Sequence, residues 1–109
     1  MLIYKIFRAP EWAQMQADGE TVGAPIDVQD GFVHLSGGDT VQKTASLYFA
    51  DEDDLTLVAI EADGVEALKW EVSRGGAKFP HLFRKLKMSD VVWAKPMPLV
   101  DGVHQFPEL

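Results

Sequence analysis

Helix signals stop at Phe49, and from Leu55 onward the chain offers only short runs rich in β-branched and aromatic residues, divided by Gly75-Gly76 and polar turns. Helices in one half and strands in the other point to an α+β domain with a mixed or mostly antiparallel sheet. The 109 residues, 47% apolar and 25% charged, suit one globular domain spanning 1–109. No repeat, low-complexity tract or linker-like shift in composition divides them.

Leu2 to Phe7 reads as a strand, and Pro10 suits the first turn of a helix that runs to Ala17 and stops at Asp18-Gly19. Glu20 to Gly31 reads as a loop. Phe32 to Ser36 then forms a short strand in which Phe32, His34 and Ser36 share one face and Val33 and Leu35 the other. Asp39 is the expected N-cap of a helix from Thr40 to Phe49, with Gln42 placed to complete a capping box. Val41, Thr44, Ala45 and Tyr48 fall on one side of that helix, so Tyr48 is expected to pack toward the strand carrying His34. Leu55–Ile60, Leu68–Val72, Phe79–Phe83, Val91–Ala94 and Val103–Phe106 are the remaining strands.

There is no cysteine, which removes disulfides, thiolate metal sites and cysteine nucleophiles and fits a cytosolic setting. Arg8, Pro10 and Glu11 interrupt the N-terminal apolar stretch before a signal-peptide core could form, and no run approaches a bilayer span. A soluble cytoplasmic protein with no membrane contact is the expectation. The net charge of −7 argues against general attraction to nucleic-acid backbones, which relies on clustered Lys and Arg. That charge is uneven. Residues 1–68 carry three basic and thirteen acidic side chains, whereas residues 69–87 hold Lys69, Arg74, Lys78, Arg84, Lys85 and Lys87 against Glu71 alone. Such a segment is either a solvated face balancing the acidic remainder or a local anion site for a small phosphorylated ligand.

The strongest local feature is the passage from strand to helix through Ser36-Gly37-Gly38, because glycines let a ligand approach the backbone and a helix start offers free N–H groups to an anion. FVHL at 32–35 is echoed by FPHL at 79–82, each histidine following a phenylalanine by two residues. His34 and His81 are therefore either satisfied core residues or an aromatic-flanked pair suited to stacking and proton transfer. His104 is expected on an exposed strand. No histidine pair has metal-ligand spacing, so no metal site is expected. Ser36 lacks a G-x-S-x-G elbow, which disfavours a serine hydrolase. Glu71, after Trp70 in LKWEV, is a possible general base or ribose ligand, or else the ion-pair partner of Lys69 or Arg74.

The series IYK, EW, DGFVHLS, a helix ending in YF, LVAIEAD, WEVSRGG and FPHLF resembles a bacterial family known only as domain of unknown function 952, over nearly the whole chain. More distantly, the order of strand, helix and glycine followed by H-L-S and another helix is similar to the ADP-ribosyltransferase fold, especially the RNA 2′-phosphotransferases. This resemblance implies two small sheets with two main helices, and a cleft between the sheets that binds NAD or an ADP-ribose-like group. Tyr4-Lys5 lies where many members have tyrosine-histidine, and His34-Leu35-Ser36 where the phosphotransferases have the same three residues. Glu71 matches a late glutamate by strand order alone, and Arg74 and Arg84 are the only counterparts of the phosphotransferase arginines. Lys5 departs from the pattern: it can meet a phosphate or ribose hydroxyl but lacks the donor and acceptor pair of a neutral imidazole.

The expected function is binding of a nucleotide or ADP-ribose-type ligand, with transfer or hydrolysis as the associated chemistry. His34, His81 and Glu71 are the expected catalytic groups, and Lys5, Ser36, Gly37, Gly38, Tyr48, Trp70 and Arg74 the expected ligand contacts. The alternative is a noncatalytic protein- or metabolite-binding module that keeps the cleft in degraded form.

Overall fold

The computed structural model describes all 109 residues except the side chain of Arg74, an expected ligand contact that thus lies outside the described residues. Strand β1 (Leu2–Phe7) pairs antiparallel along its length with β5 (Leu55–Glu61), Tyr4 standing opposite Ala59. These two form the centre of a four-stranded sheet ordered β4-β1-β5-β9, in which β4 is Ser36–Gly37 and β9 is Val91–Met97. Alternation along the strands sorts their side chains into two cores. Ile3, Phe7, Val58 and Ile60 face one side and meet Met15, Val33 and Leu82. Tyr4, Ile6, Leu57 and Ala59 face the other, under Val41 and Ala45 of helix α3 (Val41–Tyr48). Burial on both faces explains why LTLVAI is apolar almost throughout rather than at every second position.

Helix α1 (Ala9–Asp18) follows β1, as its sequence signals require. Pro10 sits in the first turn, the Glu11 carboxylate accepts the Arg8 N–H at 3.0 Å, and Gly19 ends the helix in the left-handed region at φ 77°. The span expected as a loop, Glu20 to Gly31, instead holds strand β2 (Glu20–Thr21) and a second helix, α2 (Pro25–Asp30). It uses the same devices as α1: Pro25 opens it, the Asp27 carboxylate accepts the Ala24 N–H at 2.7 Å, and Gly31 closes it at φ 82°.

A three-stranded sheet ordered β3-β7-β6 packs against the first core, with β3 at Val33–His34, β7 at Lys78–Leu82 and β6 at Leu68–Val72. Two small ribbons complete the architecture: β2 with β8 (Leu86–Lys87), and β10 (Leu99–Val100) with β11 (Val103–His104). Every strand pairing is antiparallel. The fold is α+β, with three α-helices and four small antiparallel sheets among the described residues where two of each were expected.

Three further expectations are corrected. Phe32 to Ser36 is not one strand: the chain leaves the three-stranded sheet after His34 and joins the four-stranded sheet at Ser36, so face-sharing by alternation does not carry across Leu35. Thr40 rather than Asp39 is the N-cap of α3, and its hydroxyl turns back to accept the Gly37 N–H at 3.1 Å. Tyr48 is 60% exposed instead of packing toward His34, because Val41 and Ala45 already fill the buried side of a short helix. Among the described residues no helix is long and apolar enough to cross a membrane.

Candidate functional site

The switch of sheets at Leu35 decides which chemical groups meet. In the three-stranded sheet, His34 of β3 stands directly opposite His81 of β7, and Lys69 of β6 stands opposite His81 on its other side. Cross-strand partners share a face. The two imidazole centroids are 5.4 Å apart, edge to face, and Phe32 stacks on His81 at 4.2 Å. Phe83 closes the aromatic group 5.0 Å from Phe32, with the Lys69 ammonium 5.2 Å above its ring.

Each histidine also has a carboxylate. His81 Nδ1 lies 2.8 Å from Glu71 Oε1, so Glu71 and His81 form the pair that their shared sheet face permits. His34 has two partners, both from α2. Its Nδ1 is 2.5 Å from Asp27 Oδ1, and its Nε2 is 3.0 Å from Asp30 Oδ2. Both contacts are hydrogen bonds only when each ring nitrogen carries a proton. Asp27 is the anchor of the cluster. Its side chain is wholly buried and accepts from Lys5 Nζ at 3.0 Å, from the Ala24 and His34 backbone N–H groups, and from the His34 ring. Burial alone would raise its carboxyl, but the Lys5 ammonium and the His34 hydrogen bonds outweigh burial and hold it below the usual aspartate range.

Asp27 and Asp30 join the site only because residues 25–30, expected as loop, form helix α2. Lys5 was expected to face a ligand. It is 9% exposed, and its ammonium is committed to Asp27 and to the His34 carbonyl at 3.2 Å.

The remaining expected contacts gather elsewhere. Ser36 pairs with Tyr4 across β1 and β4, and its hydroxyl meets Thr44 Oγ1 of α3 at 3.1 Å, so it does not join His34. Trp70 alternates with Glu71 along β6 and therefore points to the opposite face, where its Cη2 would lie 3.8 Å from a Cβ on Gly37. There it borders a cleft of about 810 Å³ whose lining includes Tyr4, Gly38, Asp39, Thr40 and Lys78. The expected site is thus two places: a histidine–carboxylate face, and a cleft between the start of α3 and the β6–β7 hairpin. Two cations of the basic segment are committed to ion pairs, Arg84 with Asp90 and Lys85 with Glu20. His104, expected exposed, is part-buried with Nε2 2.7 Å from the Glu52 carbonyl. Among the described residues, no group of three or more His, Asp or Glu side chains is placed to hold a metal ion.

This geometry can be set beside known proteins. The crystal structure of protein CC0527 from Caulobacter crescentus is 47% identical in sequence, with a TM-score of 0.91 over 96% of this chain and 94% of that one. A double methionine variant of that protein superposes equally well, and its solution NMR structure gives a TM-score of 0.86 over 95% and 91% of the two chains. No curated protein matches the chain. Residues 6–94 match the family described as protein of unknown function DUF952. The chain belongs to the DUF952 family.

Proposed function

We propose that the protein is a cytosolic domain of ADP-ribosyltransferase-like fold that binds a nucleotide or ADP-ribose-type ligand in the cleft beside Trp70. The observation that carries this reading is the cleft's composition. Trp70, 37% exposed, offers an indole face to a base, Lys78 offers an ammonium to a phosphate, and Asp39 offers a carboxylate to ribose hydroxyls, all on one lining. Calorimetric titration with NAD, ADP-ribose and a 2′-phosphorylated nucleotide tests it. Base stacking on an aromatic side chain contributes about 1–3 kcal/mol, so Trp70→Ala is expected to weaken binding by roughly tenfold or more. Absence of binding by all three ligands at millimolar concentration overturns the proposal.

A noncatalytic binding module is favoured over a transferase or hydrolase by one observation: His34, His81 and Glu71 lie on the face of the three-stranded sheet that Trp70 points away from. Unchanged ligand affinity in a His34→Ala, His81→Ala double variant supports that reading. Conversion of a ligand that stops in the same variant refutes it.

A further inference from the structure

The histidine–carboxylate face does not line the cleft, yet it holds the only imidazole among the described residues with carboxylates on both ring nitrogens. Asp27 and Asp30 are three residues apart, one turn of α2, and His34 spans them. The two arms are unequal. The Asp27 arm is buried, 2.5 Å long and part of a four-donor network, whereas Asp30 is 38% exposed. We propose that His34 is a proton-operated staple that fixes the last turn of α2 to β3 and thereby holds Phe32 over His81.

With both nitrogens protonated, the ring donates to both carboxylates. When one proton leaves for solvent, it is lost from Nε2, because losing the other would set a bare nitrogen lone pair against the buried Asp27 Oδ1 at 2.5 Å and leave that oxygen only the His34 backbone N–H. The bare Nε2 lone pair then faces the Asp30 carboxylate, and a bond becomes a repulsion. The charged and titratable groups around the ring are Asp27 and Asp30 from α2, Lys5 from β1, His81 from β7, and Glu71 and Lys69 from β6. Lys5 is committed to Asp27 and Glu71 to His81, which leaves Asp30 as the group that responds.

The consequence runs along the chain. The Gly31 and Phe32 N–H groups donate to the Asp27 carbonyl at 2.9 and 3.2 Å, the bonds that finish α2. Phe32 then stacks on His81, which is buried beneath it. Release of Asp30 loosens those two amides and the ring they position. Loss of the Nε2 proton as pH rises therefore opens access to the His81–Glu71 pair.

Amide hydrogen exchange of the full chain, expressed as protection factors between pH 5.5 and 8.5, tests the staple. Protection of Gly31 and Phe32 is expected to fall roughly two- to fivefold as pH rises, the range for a part-exposed ion pair. Gly19 caps α1 with the same left-handed geometry and no histidine, and is expected to stay level. Asp30→Asn, at an exposed position, is expected to flatten the Gly31 and Phe32 profiles. Long-range ¹H–¹⁵N correlation of His34 is expected to show both nitrogens protonated at the acidic end and only Nδ1 at the basic end. An unchanged pH profile in Asp30→Asn, or a neutral ring carrying its proton on Nε2, overturns the proposal.

Discussion

Asp27→Asn is the substitution that most directly probes the cluster. The wild-type carboxylate satisfies four donors, two on each oxygen: the His34 N–H and ring Nδ1 on Oδ1, and Lys5 Nζ with the Ala24 N–H on Oδ2. An asparagine presents one oxygen and one NH₂, so one side of the network turns from acceptor to donor. Lys5, 9% exposed, keeps its charge and loses its counterion. Removing one partner of a buried ion pair costs about 3–5 kcal/mol, a large share of the roughly 5–15 kcal/mol that stabilises a domain. Urea unfolding at pH 7, followed by tryptophan fluorescence, measures the difference. Lys5→Met combined with Asp27→Asn is expected to be more stable than Asp27→Asn alone, because no ammonium is left stranded. Acid sharpens the test. The folded-state carboxyl is held below its ordinary range, by Lys5 and His34 acting against burial. Its stabilising contribution is therefore complete above the unfolded aspartate value of about 3.9 and is lost as pH falls through the lower folded value. The gap between wild type and Asp27→Asn should narrow there. A cost under about 1 kcal/mol at pH 7, or a double variant no better than Asp27→Asn, would refute the anchoring role.

Gly23 and Leu57 give two independent checks. A Cβ on Gly23, at φ 96°, would overlap the Asp27 carboxylate and lie 2.6 Å from its Cβ and Cγ, atoms that the network prevents from moving. Gly23→Ala is expected to destabilise by about 2–4 kcal/mol in the same urea assay, combining backbone strain with overpacking. Leu57 is fully buried in the core under α3, so Leu57→Ala should cost about 2–5 kcal/mol and should leave the His34 ring signals in place, since His34 does not pack into that core.

The helices show where local signals sufficed and where they were outweighed. Proline in the first turn and a closing Asp-Gly marked α1 in the sequence. The same pattern stands at Ala24-Pro25-Ile26-Asp27 and Asp30-Gly31, but six residues give too little apolar periodicity to separate a helix from a turn-rich loop. Asp27 and Asp30 went unnoticed for the same reason. Their importance comes from contact with His34 and Lys5, which lie up to 22 residues away. Tyr48 failed in the opposite direction: helical spacing placed it on the buried side, yet the core had no room beyond Val41 and Ala45.

By itself the sequence determined the mixed composition of helix and strand, the main strands β1, β5, β6, β7 and β9, and the placing of His34 and His81 each two residues after a phenylalanine. Those depend on propensity, alternation and capping, which act over a few neighbouring residues. Only the tertiary structure decided that His34 meets His81 while Ser36 turns to α3, and that Glu71 joins the histidines while Trp70 faces the cleft. The reason for the first is the change of sheet at Leu35; for the second it is the pairing of β6 with β7, which sets the face of the alternating strand that meets the histidines. Alternation predicts side-chain direction only within one continuous ladder, and this ladder ends after His34, where the chain crosses from the three-stranded to the four-stranded sheet.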